Sequence, residues 1–400
     1  MNRPLLLGAV ASRLGVLAFT AAGVLLTTQY LGASGQGTIA LLQLGMLIAG
    51  TINGIVAGGA VVHLQRTHPL RTLLAPGHLW LVAASFATVA AEVALDLIPG
   101  DKWLPVSLFA WLQGVIVFHG QIAIATQQFR WHNALQLLQT GLLALALLVC
   151  YRVLGIHRIE GFLAALGTAL GITALASLPL LRSLPHPPPA PEGRWPWRPL
   201  LAQGSLAQVG SLLQLLTQRL NVRLLTAWLP AGTGLASAGV YSVAYLGMEA
   251  MWTLARGWAP VVHGKIAALP GPENRDARHR LTRRMLALTW AATLPLAALA
   301  AFLPDDAYQA VFGLAGIQPV LRALFPAVMA GAGASILAHH LSGVGAHHVN
   351  AWTSGLGLAL LVACGAWWIP EHGAVGAAWA ASVAGWGQFL GQTLSYNRLR

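Results

Sequence analysis

Residues 160–182 read EGFLAALGTALGITALASLPLLR, and this stretch shows how the rest of the chain is built. Between Glu160 and Arg182 it contains no charged residue, and an apolar run of about 20 residues is long enough to cross a bilayer as a helix. A strand of a membrane barrel would instead alternate polar and apolar residues over about 10 positions. The continuous run therefore predicts a transmembrane helix.

Similar runs recur along all 400 residues, of which 56% are hydrophobic and 8% are charged. A water-soluble domain carries about 25% charged residues, so this composition cannot cover a soluble surface. We predict an all-α, polytopic membrane protein with about twelve transmembrane helices in two six-helix lobes. The predicted spans are 5–30, 36–62, 78–98, 103–126, 134–154, 160–182, 199–227, 234–262, 284–303, 318–340, 350–370 and 374–395.

A proline-rich stretch separates the first six predicted spans from the last six. Residues 185–199 contain the run HPPPAP at 186–191, and such a segment is extended and cannot continue a helix. The predicted organisation is therefore an N-terminal six-helix lobe at 1–184, a cytoplasmic linker at 185–199 and a C-terminal six-helix lobe at 200–400.

The two halves resemble each other weakly. The first span is followed by LGASGQG at 31–37, and the seventh by LASAGVY at 235–241. Span six opens with EGFLAALG at 160–167, and span twelve with AVGAAWAA at 374–381. Two six-helix halves in parallel register are a common plan for transporters, with the substrate at the interface between them. Small residues at helix contacts can also produce such matches by chance.

Basic residues are distributed unevenly between the two sides of the predicted membrane. The formal net charge is +12, from 23 Lys+Arg against 11 Asp+Glu. One set of alternate loops carries only Lys102, Arg152 and Arg158. The other set holds Arg3, Arg66, Arg71, Arg130, Arg182, Arg194, Arg198, Lys265, Arg275, Arg278, Arg280, Arg283, Arg284, Arg398 and Arg400. Basic loops stay in the cytoplasm, so both termini are predicted to be cytoplasmic and no nucleic-acid partner is expected.

The seventh predicted span is the most polar. Polar residues spaced three or four apart share one helical face, and two arginines four apart occupy a neighbouring strip. These residues are Ser211, Gln214, Gln218 and Asn221 on the face, and Arg219 and Arg223 on the strip. A helix this polar cannot face lipid, which predicts a water-filled cavity. The alternative is that the glutamines bond to neighbouring helices and the arginines snorkel to the outer interface.

The eighth predicted span carries a second polar stripe, made of Ser242, Tyr245, Glu249, Trp252 and Arg256. Their spacing of three or four places them on one side of a helix. Tyr245 and Trp252 offer a platform for a sugar ring, and Glu249 and Arg256 offer a charge pair. The alternative is a structural network between Glu249 and Arg256 that fixes the helix.

Positive side chains inside the membrane are costly and therefore point to a function. A lipid-linked sugar carries a diphosphate, and guanidinium groups bind phosphate oxygens in a bidentate manner. Arg13 in span one and Arg219 in span seven occupy similar places in the two halves. We hypothesise that they converge on one central cavity and hold an anionic headgroup.

Other candidate features suggest no cofactor or metal. Cys150 and Cys364 lie in apolar runs and are expected to be small core residues. Two histidine pairs, at 339–340 and 347–348, flank a predicted cytoplasmic loop without an accompanying acid or cysteine, and we expect loop residues rather than metal ligands. The sequence has no Gly-x4-Gly-Lys-Ser/Thr phosphate loop, so it is not an ATP-driven pump by itself.

The densest basic cluster of the chain follows span eight. Its members are Arg275, Arg278, Arg280, Arg283 and Arg284. We expect this cluster to lie in a cytoplasmic loop and to contact anionic membrane lipids.

Several of these segments match motifs of a known family. The family is that of the polysaccharide and O-antigen flippases. The turn at 31–37 resembles its Leu-Gly-x-x-x-[Phe/Tyr]-Gly segment, and QRLN at 218–221 resembles its Asn-Arg-Ile-Asp segment. AGVYSVAY at 238–245 resembles its Gly-x-Tyr-x-x-Ala-Tyr segment, and VGAA at 375–378 resembles its Gly-Ala-Ala segment. These flippases belong to the multidrug/oligosaccharidyl-lipid/polysaccharide exporter superfamily. The match in span order covers nearly the whole chain.

The resemblance implies two six-helix lobes, alternating access and a basic central cavity in which Arg219 contacts the headgroup. Asn221 stands where the family has an acid, so ion coupling through this position is either absent or falls to Glu249. The candidate substrate-binding residues are Arg13, Gln214, Gln218, Arg219, Arg223, Tyr245, Trp252 and Arg256.

The leading hypothesis is a flippase for an undecaprenyl-diphosphate-linked oligosaccharide in a bacterial inner membrane, with polysaccharide polymerase machinery as a further partner. A cation-coupled multidrug exporter would use acids to attract its cargo, which the basic bias of the deep residues disfavours. A glycan polymerase or ligase would need a long outer loop, so we expect no enzyme. A lipid II flippase usually has additional C-terminal spans.

Overall fold

The computed structural model describes residues 3–65, 68–182, 184, 197–269 and 271–398, and these residues form helices and no strand. The helices are α1 (Arg3–Ala57), α2 (Gly59–Leu64), α3 (Leu70–Ala94), α4 (Trp103–Ala125), α5 (Phe129–Leu148), α6 (Ile159–Arg182), α7 (Trp197–Arg219), α8 (Asn221–Trp228), α9 (Ala231–Ala267), α10 (Arg275–Phe302), α11 (Asp305–Phe312), α12 (Ile317–Gly343) and α13 (His347–Arg398). A π-helical turn at Val149–Val153 extends α5. The predicted all-α fold is confirmed.

The two longest helices are each interrupted at one glycine. Gly32 in α1 has φ 66°, and Gly373 in α13 has φ 54°, a left-handed region that side chains with a Cβ rarely adopt. Both glycines lie where the sequence places boundaries, between spans one and two and between spans eleven and twelve. Each long helix therefore holds two predicted spans.

Within the described residues, eight helical stretches are long and apolar enough to cross a membrane, and two of them contain these glycine breaks. They account for ten of the predicted spans. The remaining two, 199–227 and 234–262, fall on α7 with α8 and on α9. The chain is a multi-pass membrane protein, and the prediction of about twelve spans is confirmed.

The chain forms two compact units. The first comprises Met1–Leu31 and Leu41–Val209, and the second comprises Gly32–Ala40 and Gly210–Arg400. Most of the predicted linker, residues 185–196, lies outside the described residues, so the lobe boundaries stay a prediction.

The first unit packs α4 against α3, α5 and α6. Its apolar core includes Leu42, Val89, Ile98 and Val106, all at most 2% exposed. A buried polar contact adds to this packing, because the amide of Asn53 donates to Ser85 Oγ at 3.0 Å. Hydrogen bonds between spans satisfy polar groups that lipid cannot hydrate.

The second unit is organised around α12, which packs against α9, α10 and α13. Small residues such as Ala330 and Ala334 line the contact with Phe389 of α13. Gly331 faces the indole ring of Trp252, and any side chain at position 331 would overlap this ring. Small residues allow membrane helices to approach closely, which explains the alanine and glycine content of α12.

The two segments that look alike in sequence pack against each other within the second unit, through residues 33–37 and 235–239. A methyl group on Gly37 would overlap the carbonyl oxygen of Leu235, and one on Gly239 would overlap the carbonyl oxygen of Ala33. Next to this crossing, Gln36 Nε2 approaches Ser242 Oγ at 3.5 Å. The glycines of both motifs are therefore needed for close backbone packing.

Two sequence predictions about cytoplasmic loops are wrong. The basic cluster after span eight forms the first turns of α10, because the helix begins at Arg275 rather than near residue 284. His339 and His340 belong to α12, and His340 is 2% exposed. Both helices extend beyond their apolar segments, and polar side chains join them there, as Thr282 Oγ1 lies 2.7 Å from His340 Nδ1.

Candidate functional site

The polar helix predicted for span seven is divided at Leu220, between α7 and α8. Leu220 keeps a right-handed conformation, and Leu220 N–H still donates to Leu216 O at 2.9 Å. The break therefore places the side chains of α7 and α8 in different surroundings without reversing the chain. Gln214 and Gln218 remain on α7, whereas Asn221 begins α8.

A cavity inside the second unit contains about 770 Å³ of empty space, part of it open to solvent. It lies between α7, α9, α12 and α13. Its lining residues are Gln214, Thr217, Gln218, Tyr245, Met248, Trp252, Ala327, Gly331, Ala334, Ser335, Ala381, Gly385 and Gln388. Among these described lining residues none is charged. The cavity offers amides, hydroxyls and aromatic rings to a ligand.

Next to this cavity, Arg219 of α7 forms an ion pair with Glu249 of α9. The guanidinium group of Arg219 also lies 4.5 Å from the centre of the Tyr245 ring. The side chains of Arg219 and Glu249 are 24% and 20% exposed, so both charges are largely withdrawn from solvent. Because the charges are opposite, the pair adds no net charge beside the cavity.

An aromatic row follows one side of α9. The rings of Tyr241 and Tyr245 are 6.0 Å apart, and those of Tyr245 and Trp252 are 6.2 Å apart in an edge-on arrangement. Trp252 Nε1 donates to Val328 O of α12 at 2.9 Å, which fixes the indole against Gly331. Aromatic rings together with amide side chains can bind sugars, since sugar hydroxyls form hydrogen bonds and sugar C–H faces pack on aromatic rings.

Asn221 is fully buried and connects three helices. Its Nδ2 donates to Tyr241 Oη of α9 at 2.8 Å and to Ala377 O of α13 at 3.0 Å. An acid at this position would place carboxylate oxygen against the carbonyl oxygen of Ala377. The asparagine therefore fits a structural contact that the family's acid would not make.

The structure brings four of the predicted binding residues, Gln214, Gln218, Tyr245 and Trp252, to one cavity. Arg219 and Glu249 lie beside it, as described above. Their roles in binding and coupling stay predictions.

The other predicted site residues have different positions. Arg223 Nη1 donates to Thr226 Oγ1 at 3.3 Å within α8. Arg13 is exposed in the first unit and lies near His132 of α5. The side chain of Arg256 lies outside the described residues. The convergence of Arg13 and Arg219 therefore stays a prediction.

Three polar lining residues were missed by sequence reasoning: Thr217, Ser335 and Gln388. Gln388 Nε2 donates to Ser354 Oγ at 3.2 Å, and Thr217 Oγ1 donates to Ser354 O at 3.1 Å, so both side chains are held in place. A glutamine inside span twelve was the available signal, since polar residues within spans face protein or water. No group of three metal-ligating side chains occurs in the described part of the chain.

A second cavity in this unit is apolar and opens between α12 and α13. Its lining includes Arg322, Pro326, Trp368, Trp379, Trp386 and Leu390. Arg322 Nε donates to Ala301 O at 3.0 Å, and its guanidinium lies 5.7 Å from the Phe302 ring, which places a cation at the edge of the aromatic groove.

Comparison with known proteins shows similarity at the level of structure. No protein-family model and no curated protein sequence matches this chain. The structure is similar to the lipid II flippase MurJ in an inward closed conformation, with TM-score 0.78 and 11% identity over 99% of this chain and 88% of that one. It is also similar to an inward-facing multidrug resistance MATE family transporter of the MOP superfamily, with TM-score 0.69 and 13% identity over 96% and 94%.

A MOP superfamily transporter from Pyrococcus furiosus, whose binding pocket has reverse polarity, matches with TM-score 0.58 and 16% identity over 99% of this chain and 93% of that chain. At sequence identities this low, the similarity shows only a shared fold. The chain therefore has the fold that the MOP superfamily transporters share.

Proposed function

We propose that this protein is a flippase that moves a lipid-linked oligosaccharide, carried on undecaprenyl diphosphate, across a bacterial inner membrane for surface polysaccharide synthesis. The observation that carries the proposal is the uncharged lining of the cavity in the second unit, which consists of amides, hydroxyls and aromatic rings. A neutral sugar can be bound by hydrogen bonds and ring faces, and it does not require a fixed charge. The protein acts as a transporter and not as an enzyme.

The lipid part of the cargo is assigned to a different surface. The groove lined by Trp368, Trp379 and Trp386 is apolar and lies on the same unit as the sugar cavity. A polyprenyl chain is too long and too apolar for an amide-lined cavity, whereas tryptophan rings at a membrane surface pack well against alkyl chains. Similarity to a lipid II flippase supports a lipid-linked cargo of this general kind.

The diphosphate is assigned to arginine side chains. Arg219 is neutralised by Glu249, so it cannot bind phosphate strongly while that pair is intact. Protonation of Glu249 would free the guanidinium group for bidentate contacts with phosphate oxygens. This gives Glu249 a role in ion coupling and joins coupling to the binding of the headgroup. Arg13, Arg223 and Arg256 are proposed as further headgroup contacts.

The proposed orientation follows from the loop charges, with both termini in the cytoplasm. Arg280, Arg283 and Arg284 are exposed on the first turns of α10, where they can contact anionic lipid headgroups. The polysaccharide polymerase is proposed as the partner that receives the flipped substrate.

A multidrug exporter is the second candidate, because the fold is also similar to that of a MATE family transporter. Such an exporter would need an uncompensated acid at its binding cavity to attract a cation. Glu249 is instead paired with Arg219, which favours the glycolipid.

The test is a vesicle assay with purified protein and a fluorescent undecaprenyl-diphosphate oligosaccharide in the inner leaflet. We expect protein-dependent appearance of the sugar at the outer surface, detected by an added lectin. A cationic dye supplied in the same vesicles should not be transported. Dye transport without sugar translocation would overturn the proposal in favour of the exporter.

A gene deletion provides the cellular test. Cells without the gene should lose surface polysaccharide and accumulate the lipid-linked intermediate on the inner leaflet. Normal surface polysaccharide in the deletion strain would contradict the proposal.

A further inference from the structure

The first unit contains a continuous hydrogen-bonded network inside the membrane-spanning helices. His78 of α3 and His119 of α4 face each other with 3.2 Å between their Nε2 atoms. His119 Nδ1 is 2.6 Å from Ser177 Oγ of α6, and His119 and Ser177 are both fully buried. Histidines within spans are rare and typically serve a function.

Both ends of this network are carbonyl oxygens, which can only accept hydrogen bonds. At one end His78 Nδ1 lies 2.8 Å from Leu74 O. At the other end Ser177 Oγ donates to Ala174 O at 2.6 Å. His78 must therefore carry a hydrogen on Nδ1. When Ser177 donates its single hydrogen to Ala174 O, its oxygen accepts a hydrogen from His119 Nδ1.

Counting hydrogens shows that the neutral network is incomplete. It has four links: carbonyl to His78, His78 to His119, His119 to Ser177, and Ser177 to carbonyl. Two neutral imidazoles and one hydroxyl supply three hydrogens, because each of the three groups has one. With Nδ1 of both histidines protonated, the two Nε2 atoms would face each other as bare lone pairs. One additional proton between them completes the fourth link.

The surroundings disfavour a second proton. The elements packed against α4 include α1, α2, α3, α5, α6 and the turn at Gly100–Lys102. Among their described titratable side chains, His78 is the one whose charge acts on His119, whereas His132 of α5 lies against Gly120 and His63 of α2 is exposed. None of the described carboxylates acts on His119. A second proton would place two positive rings in direct contact, which repel each other.

The second unit repeats part of this arrangement. His279 of α10 and His340 of α12 have ring centres 5.5 Å apart, and α10 and α12 contain its third and fourth predicted spans, as α3 and α4 do in the first unit. His340 Nδ1 lies 2.7 Å from Thr282 Oγ1, which donates to Arg278 O, and Tyr396 packs on both rings. Arg278 adds a positive charge beside these rings, which disfavours an added proton. The first unit is thus the better proton site.

We propose that His78 and His119 form a proton-binding site that holds one proton between their Nε2 atoms and exchanges it with the cytoplasm during transport. His78 lies in the third turn of α3 and His119 in the last turns of α4, near the ends predicted to be cytoplasmic, and His78 is partly exposed. The proton adds to a lone pair on one Nε2 and leaves from it again, so no other bond changes. The coupling part of this proposal rests on the transport function proposed above, whereas the site itself does not.

The site is tested by NMR of the full-length protein in lipid nanodiscs with ¹⁵N-labelled histidine, between about pH 5 and pH 8. We expect His119 to show both ring nitrogens protonated or sharing a proton, with a strongly deshielded N–H signal that His78→Gln and His119→Gln both remove. A His119 ring with one hydrogen and a bare Nδ1 throughout this range would overturn the site.

A second test keeps both histidines and changes a neighbouring serine, so that loss of the signal cannot be attributed to misfolding. Ser177→Ala removes the acceptor for His119 Nδ1 and should abolish the deshielded signal. Ser107→Ala is the matched control, because Ser107 is also fully buried on α4 and bonds to its own helix at Trp103 O, away from the histidines. An unchanged signal in Ser177→Ala would contradict the hydrogen count.

The coupling is tested in vesicles with an imposed pH gradient. Wild type and Ser107→Ala should transport the glycolipid faster with the gradient, and Ser177→Ala should lose this stimulation. Retained stimulation in Ser177→Ala would overturn the coupling. Absence of any glycolipid transport by wild type would count against the proposed function instead, and the NMR result would still decide the site.

Discussion

Arg219 on α7 is paired with Glu249 on α9, and its guanidinium covers the ring of Tyr245 at 4.5 Å. Two charges that the sequence places on separate helices thus neutralise each other beside an uncharged cavity. The pair also stabilises the contact between these helices, because a partly buried charge without its partner loses both solvation and attraction.

Removing either partner should destabilise the protein. We expect Arg219→Gln and Glu249→Gln each to lower the free energy of unfolding by about 1–3 kcal/mol, since each leaves the other charge unpaired. The double variant should be less destabilised than the sum of the two single variants. Thermal unfolding in detergent, followed by tryptophan fluorescence, measures all three. Additive effects would show that the two side chains do not interact.

The crossing of residues 33–37 with α9 should not tolerate a side chain at its centre. Gly239→Ala would place a methyl group on the carbonyl oxygen of Ala33, and we expect a loss of about 1–3 kcal/mol from this overpacking. Gly264→Ala is the control on the same helix, because its Cβ would meet open space, and it should be neutral or slightly stabilising. Equal unfolding temperatures for the two variants would contradict the close packing. Unfolding curves of both proteins provide the measurement.

The buried amide of Asn221 should not be replaceable by an acid. Asn221→Asp puts a carboxylate beside Ala377 O in place of the donating Nδ2, and we expect a loss of at least about 2 kcal/mol. Tyr241→Phe removes only the hydroxyl that accepts from Asn221 and should cost about 1 kcal/mol. Thermal unfolding compares the two. A stable Asn221→Asp variant would show that the family's acid fits here after all.

The amide of Gln218 should matter for transport more than for folding. On the proposed function, Gln218→Leu removes an amide that would hydrogen-bond to the sugar, and we expect a roughly tenfold slower translocation of glycolipid with little change in unfolding temperature. Gln203→Leu is the matched control, because Gln203 is exposed on the same helix and does not line the cavity. The vesicle assay described above gives both rates. Equal rates would remove Gln218 from the binding site.

The span pattern was predictable because each membrane helix must satisfy its own backbone and expose apolar side chains to lipid. The breaks at Gly32 and Gly373 fall between predicted spans for the same reason. Helix ends were less predictable. The basic residues from Arg275 onward form the first turns of α10, since arginine is a good helix former outside the apolar layer.

The candidate cavity was only half predictable. The spacing of Gln214, Gln218, Tyr245 and Trp252 marks two polar faces, but Ser335 and Gln388 stand on helices that are distant in the sequence. Helical periodicity tells which residues share a face and not which other helix that face meets.

The sequence by itself determined that this is an all-α, multi-pass membrane protein, and it identified α7 and α9 as its unusually polar helices. Hydropathy and helical period are local properties, so one chain is enough to evaluate them. The tertiary structure decided that Arg219 meets Glu249 and that His119 stands between His78 and Ser177. Those partners lie 30, 41 and 58 residues apart, and only the packing of whole helices brings them into contact.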